Sequence, residues 1–232
     1  MLEVLTLVLM LYLILGLHEL GHFLALRRYG VRVEVFALGG PPWVWRKRFK
    51  AVEYRLGLVP FLGFVAPDQR EVDRLSPVRL TWVFLAGPAM NFLGALAGAV
   101  LLSLWMGSWG PLVRTSGLMF SLPYLLVQGL VDFFRGTAPA DATGFLAFFK
   151  QGASVVGSIE GVLGLWVALH LIVGWYNLLP IAPLDGGQVL LAWLKGWRYA
   201  EAVKLGFTLL GVGFLLATLV FTLGYDLGFL GR

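Results

Sequence analysis

Long apolar runs alternate with short polar ones along this chain, and two different periods are visible. Leu2 to Leu26 is a first apolar run, interrupted by His18, Glu19 and His22. Leu80–Trp105, Gly161–Leu179 and Val203–Leu223 are three more, each near the ~20 residues that cross a hydrocarbon core as a helix. Between the first two runs the period changes. Val31, Val33 and Val35 alternate with Arg32 and Glu34, and Val52, Tyr54 and Leu56 alternate with Glu53 and Arg55, which is the pattern of strands. Gly39-Gly40-Pro41-Pro42 is expected to separate the two strands as a turn. The apolar run Pro60–Pro67 is too short and broken to span, and is expected as a hairpin or loop dipping toward the membrane.

Local signals refine this map. Ser76-Pro77 fits a helix start with proline at the first position. Gly94 and Gly98, with Ala86, Ala89, Ala95 and Ala97, give the second run a small-residue face for close helix packing. The short segment Gly187–Tyr199 carries Lys195 and Arg198 and is expected on the cytoplasmic side. Residues 110–158 are harder to place. Gly117–Phe134 is apolar but contains Pro123, Gln128, Gly129 and Asp132, and Phe145–Val156 is short and carries Lys150 and Gln151.

Composition settles the class. Hydrophobic residues make up 59% of the chain and charged residues 13%, about half the charged share of a soluble domain. The first run has no basic segment before it and leads directly into His-Glu-Leu-Gly-His, so it is not expected to be a cleavable signal peptide. The fold class is an α-helical multi-pass membrane protein with about four core transmembrane helices and a small β-hairpin between the first and second. It forms one domain over residues 1–232. There is no cysteine, which excludes disulfides, thiol catalysis and zinc ribbons. The net charge of +5 does not indicate a nucleic-acid partner, because eleven of the 18 Lys and Arg lie between Arg27 and Arg79. Basic residues gathered between apolar segments mark a cytoplasmic loop, here 31–66 and its flanks.

The candidate chemistry lies at the end of the first run. His18-Glu19-Leu20-Gly21-His22 is HExxH, and side chains four apart share a helix face, so both imidazoles can bind one metal ion with Glu19 beside a coordinated water. Ionisable groups in an apolar span are expensive and mark function. A catalytic zinc takes a third protein ligand and keeps one position open. Asp185 and Glu160 are the candidates. Asp185 follows Asn177-Leu-Leu-Pro-Ile-Ala-Pro-Leu, where Pro180 and Pro183 end the helix, and Gly186 and Gly187 would let the backbone turn the carboxylate inward. Glu160, in a helix first turn, is accounted for by the macrodipole. If His18 and Asp185 share a metal they lie at one depth, so residues 110–158 cross the membrane zero times or twice. We expect zero crossings and an amphipathic element on the outer interface. Asn91 and Asn177 are amides inside spans and need partners. His170, two turns before Asn177, is expected to be a buried histidine bonded to a neighbouring helix.

HELGH in the first span, Ala86-Gly-Pro-Ala-Met-Asn91 in the second and Asn177xxPxxPLDGG at the end of the third resemble the site-2 protease family of intramembrane zinc metalloproteases. The 31–65 stretch is similar to that family's membrane-associated β-hairpin. The resemblance implies Zn2+ held by His18, His22 and Asp185, with Glu19 as general base. It also implies Asn177 in substrate positioning or oxyanion stabilisation and Asn91 as a second-helix site residue. The implied function is endopeptidase cleavage in or near the transmembrane segment of single-pass membrane substrates, at the cytoplasmic side of a prokaryotic cell membrane. The lipid bilayer is then the working environment, and no nucleic acid is involved. A compact form is expected, since about 50 residues between the second and third spans are too few for a PDZ domain with linkers, and a CBS pair after the fourth span is not expected. The competing reading is a non-enzymatic zinc-binding membrane transporter or scaffold.

Overall fold

A computed structural model describes residues 2–135, 152, 154–227 and 229. Helix α1 (Leu2–Arg28) is followed by strands β1 (Val33–Phe49) and β2 (Val52–Pro67), then the single turn α2 (Gln69–Val72) and the long helices α3 (Pro77–Met106) and α4 (Gly110–Arg135). Helices α5 (Ile159–Asn177), α6 (Asp185–Ala192) and α7 (Ala200–Asp226) complete the described order. Four of the described helices, α1, α3, α5 and α7, are long and apolar enough to cross a membrane. They fall on the four runs expected from sequence. Ser76 caps α3, its hydroxyl accepting from the Arg79 N–H, with Pro77 at the first position.

The small-residue face of α3 is where α5 packs. Ala95 and Ala99 are fully buried with Val167 and Leu171. A Cβ on Gly94 would meet His170 and one on Gly98 would meet Trp166, and the Trp166 indole donates to the Gly94 carbonyl at 2.9 Å. Small side chains let the backbones approach, which is how helices gain contact where both sides are equally apolar. On its other side α3 meets α1, where a Cβ on Gly21 would fall 2.2 Å from the Ala86 carbonyl oxygen.

The strands depart from the expected hairpin in an instructive way. Lys50 and Ala51 form the turn, with Lys50 at φ 53°, and β1 runs unbroken through Gly39–Pro42. Residues 35–38 have two sets of partners: Ala66, Val65, Phe64 and Gly63 in descending order, and Glu53, Tyr54, Arg55 and Leu56 in ascending order. The antiparallel ribbon is therefore folded over on itself. Its segments lie side by side in the order 63–67, 33–38, 52–57, 43–49, and 63–67 pairs on one side only. Gly39-Gly40 is the corner of that fold-over rather than a hairpin turn. Gly39 adopts φ 75°, and a Cβ on Gly57 would lie 1.9 Å from the Gly40 oxygen, so only glycines permit the crossing. The Pro60–Pro67 run, expected as a separate loop or hairpin, is instead the second half of β2.

Val33, Val52, Leu26, Leu80, Val83 and Ala192 share one buried cluster, which joins the ribbon to the C-terminal end of α1, the start of α3 and α6. The corner reaches further along α1, where Leu38 lies against Gly16, and the Tyr12 hydroxyl donates to the Gly57 carbonyl at 2.5 Å.

Helix α4 is amphipathic, as expected for part of the 110–158 region. Arg114, Ser121, Gln128 and Arg135 recur every seven residues on an exposed face. Leu112, Met119 and Leu122 pack on the α3–α5 cluster from the opposite face, and the Trp175 indole donates to the Met119 carbonyl. Most of the Phe145–Val156 stretch lies outside the described residues.

Candidate metal centre

His18 and His22 occupy successive turns of α1 and turn their rings toward α3. Gly87 makes room for them, since a Cβ there would sit 2.4 Å from His22 Nε2 and 2.8 Å from His18 Cε1. Pro88 follows inside α3. His22 Nδ1 lies 2.8 Å from the Val83 carbonyl oxygen. A carbonyl only accepts, so Nδ1 carries the proton and Nε2 presents its lone pair to the site. The two Nε2 atoms stand 3.1 Å apart.

Asp185 comes from elsewhere in the chain. Helix α5 ends at Asn177, and a compact loop carries the backbone to α6, whose first residue is Asp185. Gly186 and Gly187 do not act as the expected turn; both lie inside α6 at ordinary helical φ. Their function is close approach, because a Cβ on Gly186 would fall 2.2 Å from the Leu178 oxygen and one on Gly187 would fall 2.3 Å from the Ala182 nitrogen. Pressing α6 onto the loop delivers the carboxylate to the histidines. Asp185 Oδ2 is 3.1 Å from His18 Nε2, and Oδ1 is 3.4 Å from His22 Nε2. Three bonds brace the segment just after α6: the Trp193 indole donates to the Thr81 hydroxyl at 3.1 Å, and Lys195 Nζ donates to the Asp73 and Leu75 carbonyls.

His18, His22 and Asp185 form a group able to hold a metal ion among the described residues. The chemistry of the donors fits one. Ligands ~2.0–2.1 Å from a tetrahedral zinc are separated by about 3.3 Å, close to the spacings above. Among the described residues Asp185 Oδ2 is buried without a hydrogen-bond partner, an arrangement that a cation between the three donors would satisfy.

The remaining residues singled out from sequence divide into two places. Glu19 and Asn177 line both cavities that meet at this point. One, of about 580 Å³, has polar lining from Gln69, Asp73, Gln188 and Lys204. The other, of about 360 Å³, is bounded mainly by apolar groups such as Leu15, Leu62, Ile172 and Tyr176. Gly63, at the start of the ribbon's outer segment, lies against Glu19, where a Cβ would be 3.2 Å from Glu19 Cγ. Asn177 Nδ2 donates to Val173 O within its own helix at 3.0 Å, and the amide keeps a second N–H. Asn91 is elsewhere: it is fully buried behind His18, with its amide between His18 and His170. Glu160 begins α5 at the end opposite Asn177 and accepts from the Trp105 indole at 2.6 Å. Sequence reasoning singled out neither Gly87 nor the Val83 carbonyl. The only signal for Gly87 was its place inside the Ala86–Asn91 motif.

The sequence resembles those of known proteins. The sequence pattern of Peptidase family M50 matches residues 6–220. The chain is 36% identical over 104 residues to "Putative zinc metalloprotease Cj1068" of Campylobacter jejuni, covering 39% of this chain and 28% of that protein. It is 33% identical over 96 residues to "Regulator of sigma-E protease RseP" of Escherichia coli, covering 36% of this chain and 21% of that protein. "Protease RseP" of Yersinia pestis is 32% identical over 97 residues, covering 36% and 22%. The matched stretch thus spans between about a fifth and just over a quarter of these relatives' own length. With its histidine pair, its inward carboxylate and a family match that runs from the first long helix into the last, this chain belongs to Peptidase family M50.

Proposed function

We propose that this chain is a multi-pass intramembrane zinc endopeptidase that hydrolyses a peptide bond in or near the transmembrane segment of single-pass substrates, at the cytoplasmic side of a bacterial membrane. The observation that carries this reading is that two unlike cavities meet at His18, Glu19 and Asn177, beside the three side chains able to hold a metal ion. The apolar cavity suits a chain entering from lipid, and the polar one suits water. The names of the relatives, zinc metalloprotease and regulator of sigma-E protease, agree with zinc and with regulated proteolysis.

In this reading His18, His22 and Asp185 would hold a zinc ion, which would supply Lewis acidity at the site. Glu19 takes the proton of the attacking water and delivers it to the leaving amine. Asn177 donates its second N–H to the carbonyl oxygen as negative charge develops there. Peptide bonds in a helix are shielded by their own hydrogen bonds, so the substrate must be extended before attack. Among the described residues the outer ribbon segment, 63–67, has a neighbouring strand on one edge only, and it passes Glu19, whose carboxylate accepts from the Val65 backbone N–H. It can accept the substrate as an added strand, through main-chain bonds that are largely independent of side chains.

Glu19→Gln tests the assignment. The purified variant, presented with a single-pass substrate in proteoliposomes, is expected to lose cleavage by at least about 100-fold, in line with removal of a general base, while holding zinc at the wild-type ratio. Substantial residual proteolysis would sink the assignment. Uncut single-pass proteins that accumulate in cells carrying this variant would identify the substrates.

A further inference from the structure

His170 has no part in the chemistry described above, yet it is wholly buried in a helix core, which is costly for an imidazole without partners. Its surroundings are specific. Its ring stands edge-on to Trp166 at 4.4 Å between centroids, in a space that Gly94 leaves open. His170 Nδ1 lies 3.2 Å from Asn91 Oδ1, and Asn91 Nδ2 lies 2.9 Å from His18 Nδ1. Among the described residues His170 Nε2 has no hydrogen-bond partner. One buried chain therefore runs from α5 through α3 to the first histidine of the metal centre.

The chemistry of that chain is constrained at the metal end. For His18 Nε2 to offer a lone pair, the ring's proton must sit on Nδ1, and that N–H needs an acceptor. Among the described residues its one hydrogen-bond neighbour is the Asn91 amide, which accepts through its oxygen alone. The two ends of a carboxamide have the same shape, so a half-turn about the Cβ–Cγ bond of Asn91 exchanges them at unchanged distances. With the oxygen toward His18, the Asn91 NH2 faces His170 Nδ1, which must then accept. A neutral imidazole with its proton on Nε2 does so, and with its proton on Nδ1 it serves the opposite amide orientation equally well. An imidazole can thus partner Asn91 in both orientations from one atom. Leu or Phe in its place could do neither.

We propose that Asn91 and His170 form a positioning chain that holds His18 in its Nδ1–H tautomer and aims Nε2 at the metal, with His170 acting only through Asn91. This rests on the reading of His18 as a ligand. The chain also accounts for an amide and an imidazole buried together where an apolar pair would pack as well.

The test is metal affinity of the purified, detergent-solubilised full chain, with Zn2+ measured by competition against a chromophoric chelator and Co2+ by its visible absorption. Asn91→Leu is expected to weaken Zn2+ binding by about 10–100-fold, the usual cost of losing an outer partner of a metal-bound histidine, and to alter the Co2+ spectrum. Asn91→Asp keeps an acceptor for Nδ1–H and is expected to stay within a few-fold of wild type. His170→Phe is expected to weaken binding less than Asn91→Leu, and the double variant no more than Asn91→Leu alone. Folding is checked for each variant by helical circular dichroism. Wild-type affinity and an unchanged cobalt spectrum in folded Asn91→Leu and His170→Phe would overturn the chain while leaving the metal site standing. A His18→Ala variant that binds Zn2+ as tightly as wild type would overturn both.

Discussion

A Cβ on Gly87 would lie 2.4 Å from His22 Nε2 and 2.8 Å from His18 Cε1. Both atoms belong to rings pinned from behind, His22 by the Val83 carbonyl and His18 by Asn91, so neither can retreat cheaply. Gly87→Ala is therefore expected to lower zinc affinity by about 10–100-fold, the range for disturbed support of metal ligands, with helix content preserved. Gly117→Ala in α4, where a Cβ meets nothing within 4 Å, is the control and should bind metal like wild type. Zinc stoichiometry after dialysis against a weak chelator separates the two. The residue scale is also where the sequence was most legible. The four-residue spacing of His18 and His22 follows from helix period alone. The need for glycine at 87 does not, because it depends on how closely α1 lies on α3.

At the scale of elements the ribbon is the informative case. Alternation identified strands near 31–35 and 52–56, and it correctly separated them from the helices on either side. It did not show that both strands continue past their glycines, because a glycine pair serves a hairpin turn and a strand crossing equally well. Backbone contact decided between them: Gly39 and Gly40 face Gly57 at a distance that excludes any side chain. Gly57→Ala is accordingly expected to destabilise the ribbon by about 1–3 kcal/mol, the usual cost of overpacking. It should lower the thermal midpoint in detergent and reduce cleavage more than zinc content, since Gly63 beside Glu19 lies on the displaced segment. Cleavage and zinc content falling in parallel would instead mean that the ribbon supports the metal ligands directly. A similar ambiguity applied to Gly186 and Gly187. Their spacing after Pro183 suggested a turn, and their observed role is contact with the Leu178–Ala182 backbone.

For the whole molecule, the end of α1, the Lys50 turn and the α6–α7 connection are all expected to face one side, with the α3–α4 connection opposite. The chain contains no cysteine, so single replacements report without background. Cysteines at Lys47 and Lys195 should react with a membrane-impermeant maleimide only from the cytoplasmic side of oriented vesicles. A cysteine at Ser108 should react only from the other. Labelling of Ser108 and Lys195 from the same face would refute four core spans with the metal site near the cytoplasmic side.

What the sequence determined by itself was local: the four apolar runs, the Ser76 cap, the paired histidines and the alternating strands. Each depends on neighbours within a few residues, where helix and strand periods leave a direct imprint. What the tertiary structure decided was which distant groups meet. Asp185 reaches His18 and His22 because two glycines let α6 press against the preceding loop. Asn91 faces His18 and His170 rather than the cavity because small residues draw α1 and α5 onto α3. Close packing of this kind is set by atoms from several segments at once, and no spacing along the chain records it.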